Sequence, residues 1–160
     1  MEERLCVIVA ADELGRAAPP DGGPPAGLPQ ALAELARFGC QVWWAGQEPP
    51  GASPLVEDPA LRPWVQQGRL RQAPSLDEAA RACRAGGREV LVVGGRPSGS
   101  IRWANRHRFT SALVAVLEGP DEELPADVEE IPDFVVGSVD ELPALVFRME
   151  REQGDFEGTE

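Results

Sequence analysis

The chain has 160 residues, 42% of them hydrophobic and 26% charged, which suits one soluble globular domain with a single core. No apolar run approaches the ~20 residues that span a bilayer, and the acidic start Met1-Glu2-Glu3-Arg4 is unlike a secretory leader, so a cytoplasmic protein without a membrane partner is expected. The net charge of −12 is concentrated in residues 118–160, where 15 acidic side chains meet only Arg148 and Arg151; such a field repels nucleic-acid phosphates.

The first predicted element is a buried strand over Leu5–Ala11, which delivers Asp12 to its carboxyl end. Residues 16–29, rich in proline and glycine, have neither helical nor strand period and are expected to form a mobile loop. Leu28, Ala31, Leu32, Leu35 and Phe38 recur at helical spacing, and Gly39 is a stop. Gln41–Gly46 reads as a second strand, with Trp43 and Trp44 directed to opposite faces and both better read as core than as a ligand platform.

After a loop at Pro49–Pro54, residues 58–67 can form a helix in spite of Pro63, packing Leu61, Trp64 and Val65. A short strand follows near Arg69–Gln72. Ser75 and Glu78 have the spacing of a capping box that opens a helix through Ala79, Ala80 and Cys83. Val90–Val93 is a buried strand, and Gly94-Gly95-Arg96-Pro97-Ser98-Gly99-Ser100 is a glycine-rich turn whose hydroxyls can cap a short helix from Ile101. A strand at Ala112–Val116, an acidic connection over 119–132, a short strand at Phe134–Val136 and a helix over 140–151 with Leu142, Leu145, Val146 and Met149 on one face complete the pattern. Residues 1–151 are expected to form one α/β domain, and 152–160 a disordered acidic tail.

Residue types exclude several chemistries. All 15 basic residues are arginine, so neither a phosphate-loop lysine nor a Schiff-base lysine exists. The single histidine, His107, argues against a multi-histidine zinc site and against a serine triad. Cys6, Cys40 and Cys83 are widely spaced in apolar settings and are expected to be buried reduced thiols.

Val92-Val93-Gly94-Gly95-Arg96-Pro97-Ser98-Gly99-Ser100-Ile101, then Ala104-Asn105 and Phe109-Thr110-Ser111-Ala112-Leu113-Val114, resemble the fourth signature of haloacid dehalogenase-like (HAD) phosphatases, roughly V-G-D-x-x-x-x-D-I-x-x-A-N-x-x-G-x-x-T-x-x-V. Residues 132–143, Pro-Asp-Phe-Val-Val-Gly-Ser-Val-Asp-Glu-Leu-Pro, resemble the family's closing P-D-x-V-V-x-S-L-x-E-L segment. The resemblance implies a HAD-like Rossmannoid fold: a mainly parallel sheet of five to six strands, the first strand central, with helices on both faces and no cap domain.

The departures from the family pattern fall on its chemistry. The resemblance puts Ala10 where the nucleophilic aspartate belongs, Asp12 at the acid/base position, Ala45 at the phosphoryl-orienting hydroxyl, and Gly95 and Ser100 at the two metal-binding carboxylates. A methyl group cannot form an aspartyl-phosphate, and loss of a covalent nucleophile costs on the order of 10⁴ to 10⁶ in rate. Arg71 is the nearest match to the family's basic residue, or else a solvated surface arginine.

No intact catalytic set, metal or cofactor is therefore expected, and the leading reading is a pseudophosphatase that binds a protein partner or itself. A divergent magnesium-dependent phosphatase using Asp12, and a phosphometabolite or nucleotide sensor using Arg96, Ser98 and Ser100, are the alternatives. Arg102, Trp103, Arg106 and His107 on the following helix are the candidate interaction surface, unless Trp103 tucks under a loop and the arginines are solvated.

Overall fold

Six buried residues in a row, Leu5–Ala10, form β1, and the run lacks polar alternation because both of its faces are covered. A computed structural model describes residues 5–10, 28–46, 59–85, 89–95, 97–114, 128–137 and 139–149. The described elements after β1 are α1 (Leu28–Arg37), β2 (Gln41–Ala45), α2 (Arg62–Gln66), β3 (Leu70–Ala73), α3 (Leu76–Ala85), β4 (Glu89–Gly94), α4 (Arg102–Arg106), β5 (Thr110–Val114), β6 (Phe134–Val136) and α5 (142–149). Asp12, Arg96, the loops over 16–27 and 49–54, most of the 119–132 connection and the 152–160 tail lie outside the described residues.

The strands make one six-stranded sheet in the order β3-β2-β1-β4-β5-β6. Every pairing is parallel. With β1 between β2 and β4 and helices on both faces, this is the Rossmann-like α/β arrangement expected, and no cap domain is present among the described residues. No helix among them is long and apolar enough to cross a membrane.

Alternation along the strands divides the core into two layers of different thickness. On one face, Val7, Val9, Val42, Trp44, Leu91 and Val93 pack against Leu32 and Leu35 of α1 and Leu142, Leu145 and Val146 of α5. On the other, Ile8, Ala45 and Val92 meet Ala79, Ala80 and Cys83 of α3 and Ala104 of α4. Small side chains let α3 approach the sheet closely. Trp44 and Trp43 fall on opposite faces, the first buried and the second half-buried beneath the Arg71 guanidinium at 5.9 Å from its ring.

That close approach corrects one expectation. Cys6 of β1 and Cys83 of α3 are not reduced thiols but a disulfide, with their Cα atoms 6.1 Å apart, inside the range a bridge spans. Cys40 is buried and outside any disulfide. Spacing gave no sign of the pair, because 77 residues separate the cysteines and only the docking of α3 on β1 brings them together.

Element boundaries follow local chemistry. The helix expected over 58–67 is confined to Arg62–Gln66, with Pro63 in its first turn, where a missing N–H costs nothing. Ser75 Oγ accepts from the Glu78 N–H at 3.3 Å, the forward half of the capping box. The helix expected over 140–151 opens as a tight 3-10 turn at Val139–Glu141 before α5. β5 begins at Thr110, two residues earlier than its apolar run suggested.

Gly39 ends α1 with φ +97°. Its N–H reaches Ala36 O at 3.1 Å and the Cys40 N–H reaches Leu35 O at 3.1 Å, the paired bonds of a Schellman cap. Phe38, which continues the helical spacing of Leu28, Ala31, Leu32 and Leu35, is 43% exposed. It sits at the junction where this cap turns the chain away, so the helical spacing of α1 no longer directs it inward.

Thiol titration of the unfolded chain should count one thiol per molecule without reductant and three after reduction. Reduction should also lower the folding free energy by about 2–4 kcal/mol, as opening a long covalent loop does. Three thiols in the untreated protein would contradict the bridge.

Candidate functional site

In open parallel sheets a ligand crevice forms outside the carboxyl ends of the strands. Here that rim is a row of methyl groups. Ala10 stands opposite Ala45 in the register of β1 and β2, and Ala45 opposite Ala73 in that of β2 and β3. All three are buried. On the other side of β1, β4 ends at Gly94, opposite Leu113 of β5, and Gly95 follows.

The turn after β4 is wide and irregular over Pro97–Ile101, broken at Gly99 (φ −106°, ψ −108°). Ser100 lies within it and is fully buried. Ile101, rather than one of the serines expected to cap the next helix, occupies the cap position, in helical conformation and with no side-chain capping bond of its own. Of the anion-binding candidates, Ser98 and Ser100 both lie in this turn, Ser100 with its side chain buried, and Arg96 is outside the described residues. Among the described residues, no three His, Cys, Asp or Glu side chains converge as metal ligands.

The five-residue helix α4 carries the other candidates, and all four are engaged within the chain. Arg102 pairs with Glu130 at 3.4 Å, and the Glu130 side chain is almost wholly buried. Arg106 pairs with Glu129. Trp103 donates from Nε1 to Asp77 Oδ1 at 3.1 Å, tying α4 to α3. Its ring lies 4.6 Å from that of His107 and 5.6 Å from that of Phe109, and the Arg84 guanidinium caps Phe109 at 4.8 Å. His107 Nδ1 lies 2.7 Å from Trp103 O; because a carbonyl only accepts, Nδ1 carries the proton. Trp103 thus closes the thin layer of the core rather than standing free.

Beneath α4 lies a polar network that residue patterns alone did not single out. Asn105 Nδ2 donates to Glu129 O at 2.7 Å and to Ile131 O at 2.8 Å, while its Oδ1 accepts from Ser111 Oγ at 3.1 Å. Ser111 N–H donates to Asp133 Oδ2 at 2.9 Å and Asp133 N–H returns a bond to Ser111 Oγ at 3.1 Å. One amide, one hydroxyl and one carboxylate thereby fasten α4, the start of β5 and the segment before β6 to one another. The sequence signal was there, since all three residues lie within the two stretches that resemble HAD signatures.

The end of α4 adds a strained residue. Phe109 N–H bonds to Ala104 O at 2.9 Å and Arg108 N–H to Asn105 O at 3.1 Å, a second Schellman cap, but its left-handed position holds Arg108 at φ +61°. Glycine adopts that conformation freely, whereas a side chain there costs about 1–2 kcal/mol.

No protein-family model matches the sequence, and no curated protein does. In fold the chain is similar to an uncharacterized protein from Listeria monocytogenes serotype 4b, known from its crystal structure. The two superpose with a TM-score of 0.56 at 14% identity, over 92% of this chain and 99% of that one. The likeness is one of fold.

Asn105→Ala should cost roughly 1–3 kcal/mol in urea unfolding, because it strands two backbone carbonyls and the Ser111 hydroxyl; a cost below the error of the melt would show the network to be dispensable. Arg108→Gly should instead stabilise by about 0.5–1 kcal/mol, the relief of left-handed strain less the added freedom of the unfolded chain. A lower melting temperature for that variant would mean that the Arg108 side chain contributes more than its backbone costs.

Proposed function

We propose that this protein is a HAD-like fold that does not carry out phosphoryl transfer and acts by binding a protein partner, as a scaffold or regulatory module. The carrying observation is the buried alanine row at the carboxyl rim. Phosphoryl transfer through an aspartyl-phosphate needs a carboxylate at the end of β1 to attack phosphorus and a hydroxyl at the end of β2 to orient the transferring group. Ala10 and Ala45 offer methyl groups, neither of which reaches solvent. Gly95 and Ser100 supply no carboxylate for a magnesium ion, which selects hard anionic oxygens.

The same segment retains the residues that hold its shape. Asn105, Ser111 and Asp133 hydrogen-bond to one another and to the 129–131 backbone, fastening α4, β5 and the segment before β6. A chain that preserves the frame while substituting the reactive groups is suited to recognition rather than turnover.

Calorimetric titration of magnesium into the purified protein, paired with p-nitrophenyl phosphate hydrolysis, tests this reading. Neither binding heat nor turnover above the uncatalysed rate is expected. Turnover that Asp12→Asn abolishes and that Ala10→Asp with Gly95→Asp raises would overturn it in favour of a divergent phosphatase.

A further inference from the structure

Large apolar side chains left on a protein surface are informative when they cluster. Phe38, at the end of α1, is 43% exposed and Phe147, on α5, is 52% exposed. Their ring centroids are 6.0 Å apart, so α1 and α5 share one aromatic patch. The patch belongs to a groove of about 550 Å³ lined by Glu34 and Phe38 of α1 and by Pro143, Ala144, Phe147 and Arg148 of α5. This face lies over the thick layer of the core, away from the carboxyl rim and from α4.

Charge placement indicates what covers it. Glu34 of α1 and Arg148 of α5 line the same groove as the two phenylalanines, and neither makes an ion pair among the described residues. We propose that this groove binds a second copy of the chain, related by a two-fold axis running along the groove between α1 and α5. Rotation about that axis exchanges left and right while preserving position along the groove, so each α1 faces the α5 of the other copy. Glu34 of each molecule then meets the opposing Arg148, twice by symmetry, and four phenylalanine rings stack at the centre.

A two-fold axis across the groove would instead set α1 against α1 and bring like charges together. The charges therefore select the axis as well as the partner. This inference rests on the binding reading above and names its partner.

The size of the patch sets the strength. The two exposed ring portions amount to roughly 200 Å² per molecule, judged from the area an aromatic side chain offers. With the surrounding groove the interface falls in the small class, below about 1,200 Å² in total, so association is reversible. The net charge of −12 opposes it at low salt, while at physiological ionic strength a Debye length of about 8 Å screens the distant carboxylates.

Sedimentation equilibrium of the full chain at physiological salt, from low to high micromolar concentration, tests the proposal. A monomer–dimer equilibrium is expected, weakened about tenfold or more by Phe147→Ser. Glu34→Arg and Arg148→Glu should each weaken it several-fold, and the two together should restore it, with circular dichroism confirming that every variant is folded. A chain monomeric throughout, a dimer indifferent to Phe147→Ser, or a double variant no better than the singles would overturn the proposal. A monomer that dimerises only when truncated after Met149 would also overturn it, assigning the groove to the chain's own residues 150–160. A dimer that hydrolyses phosphoesters would keep this interface and defeat the non-catalytic reading, and a silent monomer would do the reverse.

Discussion

The structure depends on keeping β1 dry on both faces. A parallel strand with six consecutive buried residues has no solvated side, so it must be flanked by paired strands and sandwiched between two helical layers. β2 and β4 provide the pairing, α1 and α5 close one face, and α3 and α4 close the other. The unequal side-chain volumes of the two layers then explain secondary features. The thin, alanine-rich layer lets α3 come near enough for the Cys6–Cys83 bridge. The other, leucine-rich layer fills the space between the sheet and α1 and α5.

The carboxyl rim and α4 show how a fold separates shape from chemistry. The register that aligns the rim depends on backbone hydrogen bonds and tolerates a methyl group wherever a short side chain fits. Holding α4 over the sheet is more demanding, because its backbone and neighbouring carbonyls need polar partners once buried. Asn105, Ser111 and Asp133 supply these, and Glu129 and Glu130 engage Arg106 and Arg102. The acidic stretch after β5 is thus partly a structural clamp on α4 rather than a uniform field of solvated charge. Arg102, Trp103 and Arg106, expected to form a contact surface, have intramolecular partners in α3 and at Glu129 and Glu130, while the Arg106 side chain stays 58% exposed.

Much of the fold was legible in the residues. Strands β1 and β4 announced themselves as unbroken aliphatic runs, α1, α3 and α5 as apolar residues at helical spacing, and the capping-box serine marked where α3 begins. Boundaries drifted where a cap rather than a period decided them, as at Phe38, where Gly39 turns the chain. At the carboxyl rim the sequence shows only which side chains are there: Ala10, Ala45, Gly95 and Ser100 carry no carboxylate. The network around Asn105 was less visible, because its partners include backbone carbonyls, and carbonyls carry no sequence signal.

By itself, the sequence determined the class of fold, the parallel character of the sheet and the absence of a carboxylate side chain at Ala10, Ala45, Gly95 and Ser100. These are local matters: hydrophobic period, turn chemistry and the identity of single side chains. Tertiary structure alone decided that Cys6 meets Cys83 across 77 residues, that Arg108 takes a left-handed cap, that Trp103 faces inward, and that Phe38 and Phe147 share one exposed groove. Each of these depends on how two elements distant in sequence dock, and docking is set by the summed packing of whole layers, which no short stretch of sequence contains.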